Sequence, residues 1–85
     1  MKNIIQFTFT HDNSTSARLG VLVPFVGHTL TVDIGQRNPF TTGVLEAFTS
    51  NSRNGGYGYS AVIRETNGRR TAIPVDKICM ARVEG

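Results

Sequence analysis

The residues best suited to recognition chemistry stand together in Arg53-Asn54-Gly55-Gly56-Tyr57-Gly58-Tyr59. A guanidinium offers a planar fork to phosphate or to a base edge, and two phenol rings spaced by two on one strand face offer stacking platforms for unpaired bases. The competing expectation is that Tyr57 and Tyr59, in line with Ala61 and Ile63, are core residues with only their hydroxyls at the surface. The glycines are not a nucleotide fingerprint, because no strand feeds the run in the Rossmann sense and no helix follows it to supply a positive dipole end.

Two further groupings are basic. In a hairpin closed by Asn67-Gly68, Arg64, Thr66, Arg69 and Thr71 fall on one face, which leaves Arg64 and Arg69 as a positive patch while Arg70 is set against Glu65. The turn Gln36-Arg37-Asn38-Pro39-Phe40 adds a guanidinium, an amide and a ring, so Arg37 and Asn38 join the candidate contacts. For both groupings the alternative is a solvated face of the fold. Catalytic groups are scarce. His11, His28 and Cys79 are single copies far apart in the chain, and Asp33, Glu46 and Asp76 form no recognisable pair. The chain reads as non-catalytic, with no metal and no cofactor.

The elements that must position these residues read as all-β. Thr, Val, Ile and Phe recur in short runs punctuated by Gly, Asn, Ser and Pro, without a helical stripe. Strands are expected at 4–10, with Ile5, Phe7 and Phe9 inward; at 18–26, on the alternation Leu19, Val21, Val23; and at 28–34, with Leu30, Val32 and Ile34 inward. Phe40 to Thr49, apolar on both faces around Gly43, reads as a strand bent at a barrel corner. Tyr57 to Thr66 pairs with Arg69 to Pro74 through a two-residue type I′ turn, which sets Thr66 opposite Arg69 and Glu65 opposite Arg70. Pro74 to Lys77 is a 3-10 turn, and Ile78 to Val83 closes the sheet with Cys79 buried in it. The expected fold is a single domain over residues 1–85, a small meander barrel of five or more strands with an appended N-terminal hairpin.

Length, charge and cysteine content agree with that scale. Eighty-five residues make one small core, and the lone Cys79 forms no internal disulfide and has no zinc-type companions. The run Ile4-Ile5-Gln6-Phe7-Thr8-Phe9 is too short and too polar for a signal or a membrane span, so a cytoplasmic protein with no membrane association is expected. The formal charge is only +3, with charged residues 18% of the chain, but seven of the nine basic residues are arginine.

From Gly27 onward the order of features resembles the Sm/LSm and broader SH3-like small barrels. Gly27-His28-Thr29-Leu30-Thr31-Val32-Asp33-Ile34-Gly35 is similar to their first strand, Gly43-Val44-Leu45 to the opening of their bent second strand, and Thr71 to Ile78 to their hairpin return, 3-10 turn and final strand. The resemblance implies the fold. It carries over no base-reading residue, because Ala47-Phe48-Thr49-Ser50-Asn51 stands where that family has an acidic residue and a Met-Asn-like pair. The family's N-terminal helix is read here as replaced by strands over 4–26.

These observations favour a small regulatory protein that binds single-stranded nucleic acid through Arg53, Tyr57, Tyr59 and the Arg64/Arg69 face. The alternatives are a compact protein-binding inhibitor, such as a viral or accessory protein that blocks a host nucleic-acid enzyme or defence complex, and a homo-oligomer that captures a nucleotide-like anion.

Overall fold

A computed structural model of the chain describes residues 4–10, 12–35, 40–51 and 58–84. It is mostly β: one antiparallel sheet of six strands, β1 (Ile4–Thr8), β2 (Thr29–Asp33), β3 (Phe40–Asn51), β4 (Gly58–Arg64), β5 (Arg70–Pro74) and β6 (Met80–Glu84), with one short helix, α1 (Thr15–Leu22). The strand order is β1-β6-β2-β3-β4-β5. Among the described residues hydrogen bonds do not close this sheet into a barrel, in contrast to the expectation. β1 and β5 are its two edges.

The main departure lies in the N-terminal third. Residues 18–26 do not form a strand, and the expected hairpin does not exist. α1 begins behind Ser14, whose hydroxyl accepts the Ala17 N–H at 3.1 Å, and runs into a 3-10 turn at Val23–Phe25 with Pro24 in its first turn. The alternation of Leu19, Val21 and Val23 concealed a four-residue spacing: Arg18 and Leu22 are the helix residues that are buried. β1, freed from a hairpin partner, crosses to the end of the chain and pairs with β6, Ile4 opposite Glu84 through Thr8 opposite Met80.

Leu22, Leu30, Val32, Leu45, Ile63, Val75, Ile78 and Val83 are almost completely buried and form the core with Ala61, Ile73, Ala81 and Phe9. Leu30 and Val32 face inward as the alternation requires. β3 is bent, as expected, but the irregularity is a bulge at Glu46, between Leu45 opposite Ile63 and Ala47 opposite Val62. Gly43 serves a neighbouring need: a Cβ there would collide with the Arg64 carbonyl and press on the Ile63 side chain, so only glycine lets β3 cross β4 this closely.

The β4–β5 hairpin is shifted by one residue from the two-residue turn expected. Arg64 lies opposite Arg70 and Ile63 opposite Thr71, and the Glu65 N–H donates to the Arg69 carbonyl at 2.8 Å. The loop therefore holds three residues. The Gly68 N–H returns to the Glu65 carbonyl, Gly68 takes a φ of 88°, and the Asn67 side chain accepts the Arg69 N–H. This is a turn followed by one left-handed glycine, the second most common solution for a short hairpin. Val75–Lys77 forms the expected 3-10 turn, and Cys79 sits half-buried ahead of β6 with its thiol on the Asp33 carbonyl.

Candidate functional site

Of the eight candidate residues, Arg37, Asn38, Arg53, Asn54 and Tyr57 lie outside the described residues; Tyr59, Arg64 and Arg69 lie within them. Tyr59 is exposed at 41%, although it stands on the same strand face as the buried Ala61 and Ile63. The register explains this. β5 stops pairing at Pro74, opposite Ser60, whereas β3 and β4 continue for two more pairs, Ser50 with Tyr59 and Asn51 with Gly58. The β3–β4 ribbon thus outruns the core, and Tyr59 is the first inward-facing position with no β5 residue beside it. The half-buried Phe48, opposite Ala61, lies diagonally across the ribbon from it on the same face.

The basic hairpin face is rearranged by the one-residue shift. Arg64 and Arg70 now share a face, and both reach the bulged Glu46: Arg70 Nε donates to its carboxylate at 2.6 Å and Arg64 Nη1 lies 3.5 Å from the other oxygen. Glu65, expected to neutralise Arg70, instead accepts the Thr71 hydroxyl at 2.9 Å. Arg69 is exposed but lies in the turn region. Arg64 and Arg69 do not form the unopposed patch read from the sequence, because the bulge inserts a carboxylate where a strict alternation would not place one. Arg64 also borders an open depression of about 280 Å³ with Thr29, Thr42, Val44 and Thr66.

Tyr59 and Arg64 are not brought together. They stand five positions apart, so they point to opposite faces of β4 and lie roughly 17 Å apart along it. The candidate surface is two separate places, an aromatic position at one end of the ribbon and a charge-balanced cluster at the other.

A third arginine plays a role the sequence did not reveal. Arg18, 6% exposed, sends its guanidinium from α1 into the sheet end, where Nη1 donates to the carbonyls of Val75, Asp76 and Ile78 and Nη2 to that of Thr10 at 2.7 Å. The guanidinium gathers carbonyls around the end of the 3-10 turn and ahead of α1, of which those of Val75 and Thr10 also accept the backbone N–H groups of Ile78 and Asn13. The guanidinium carbon also lies 5.7 Å from the centre of the Phe9 ring. Arg18 belongs to the architecture and leaves the count of arginines open to a partner. Its helical position, four before the buried Leu22, was the available signal.

Among the described residues no group of three or more His, Cys, Asp or Glu side chains is placed to hold a metal, and no helix is long and apolar enough to cross a membrane. Comparison with protein-family models, curated proteins and solved structures finds nothing that matches the chain, so its own residues carry the functional argument.

Proposed function

We propose that this chain is a non-catalytic, Sm-like regulatory protein that binds single-stranded nucleic acid at the projecting end of the β3–β4 ribbon. One observation carries the reading: Tyr59 is 41% exposed at a strand position whose next described neighbours on the same face, Ala61 and Ile63, are core. An exposed aromatic on a rigid strand can stack on any base, a contact worth roughly 1–3 kcal/mol. In the sequence Arg53 and Tyr57 lie within six residues of it, the residue types that supply phosphate contact and a second stacking ring. The element order lends support to the Sm-like reading: a short helix, a bent long strand, a hairpin, a 3-10 turn and a final strand that pairs back to β2.

Fluorescence anisotropy with labelled mixed-sequence single-stranded oligonucleotides at low salt tests the proposal. Binding should weaken steeply as salt rises. An absence of binding at low salt defeats it, and a lysate partner that survives nuclease treatment while oligonucleotides fail to bind would favour the inhibitor reading.

A further inference from the structure

The two edges of the sheet are built differently. In β5 the residues whose N–H groups point away from β4 alternate from Arg70 through Ala72 to Pro74, since Glu65 and Arg69 are a hydrogen-bonded pair. That edge carries a charge at one end and a proline with no N–H at the other, two common guards against edge pairing. β1 has neither. The Phe9 N–H donates to the Cys79 carbonyl, so by alternation Phe7 and Ile5 bond to β6 while the N–H and C=O groups of Ile4, Gln6 and Thr8 point outward, with no strand beside them among the described residues. Ile4-Ile5-Gln6-Phe7-Thr8 is free of charge, of proline and of glycine, and Ile4 and Ile5 are 58% and 45% exposed.

We infer that β1 is the dimerisation edge of this protein, pairing antiparallel with β1 of a second copy across a two-fold axis at Gln6. Charge selects this occupant. A neutral strand set against itself brings no like charges together and offers every outward N–H, whereas β5 against β5 about Ala72 would set Arg70 opposite Pro74, which has no N–H to give. The register is self-consistent. With Gln6 opposite Gln6 of the second copy, Ile4 falls opposite Thr8, and all three outward N–H groups of each copy meet an outward carbonyl. On the core face Ile5 of one copy falls opposite Phe7 of the other. Phe7 is already backed by the Phe25 ring at 5.6 Å, so the apolar row of each copy continues across the junction.

Sedimentation or light scattering over a concentration series, with amide hydrogen exchange, tests the inference. The wild type should dimerise and its Gln6 amide should be protected. Gln6→Pro removes an outward N–H together with the exposed side-chain contact from Arg82 to the Gln6 amide oxygen at 3.4 Å, and Ile4→Lys places an edge charge opposite Glu84 of β6, where the monomer accommodates it. Both variants should sediment as monomers with an unchanged β circular dichroism spectrum, while Ala72→Lys on the other edge stays dimeric. A wild type that is monomeric throughout, or a Gln6 amide that exchanges as an open edge does, overturns the inference. Higher oligomers, or dissociation by Ala72→Lys, would mean β1-to-β5 pairing and overturn it as well. Nucleic-acid binding is a separate readout, since Tyr59 lies on β4 away from this edge.

Discussion

The same side chain behaves in opposite ways at the two ends of this molecule. At the α1 end, the Arg18 guanidinium is buried among backbone carbonyls and an aromatic ring, with its Nε left without a partner among the described residues. At the hairpin end, Arg64 and Arg70 share one partly exposed carboxylate in contact with water. Desolvation separates the two cases: a buried charged donor set shared by four backbone carbonyls is expensive to remove, whereas an exposed ion pair contributes about 0–1 kcal/mol. Counting arginines therefore says little about a partner until burial has divided them.

Substitutions can break this contrast in order of size. Arg18→Ala should cost roughly 3 kcal/mol in urea denaturation, because it empties the volume between α1 and the 3-10 turn and removes the guanidinium that four backbone carbonyls share. Arg18→Lys should not restore stability, since one ammonium cannot span four acceptors. A loss under about 1 kcal/mol would place Arg18 with the surface arginines and dissolve the comparison. Gly43→Ala comes next, at about 1–3 kcal/mol, through the clash with the Arg64 carbonyl that would force β3 and β4 apart. Glu46→Gln should change stability by less than about 1 kcal/mol. It also sharpens the placement of the binding surface. If ligand touches only the ribbon end, freeing Arg64 and Arg70 leaves the salt slope of oligonucleotide binding unchanged; a slope steeper by about one or two units would bring the hairpin arginines into the interface.

The sheet was more legible than its closure. Leu30, Val32 and Ile63 announce their faces by strict alternation, and Pro74 and Asp76 announce the 3-10 turn, because both signals are local. The helix was hidden because Arg18-Leu19-Gly20-Val21-Leu22 satisfies a two-residue and a four-residue period at once. The deciding facts, the Ser14 cap and the carbonyls awaiting Arg18 nearly 60 residues further along the chain, are respectively subtle and tertiary. The hairpin register failed on the preference of Asn-Gly for a two-residue turn, which the Asn67 side chain overrides by capturing the Arg69 N–H. That single slip moved Arg70 from Glu65 to Glu46 and dismantled the expected patch. Exposure of Tyr59 was undecidable from the sequence, because it depends on β5 stopping one pair short of it.

The central claim is that Tyr59 is a stacking platform. Oligonucleotide affinity of wild type, Tyr59→Phe and Tyr59→Ala at one low salt concentration tests it most directly, with thermal unfolding as a check that the alanine variant stays within about 0.5 kcal/mol of wild-type stability. The account predicts that phenylalanine binds nearly as wild type does and that alanine loses roughly 5- to 150-fold, the equivalent of one stacked base. Equal affinity for all three proteins would contradict it.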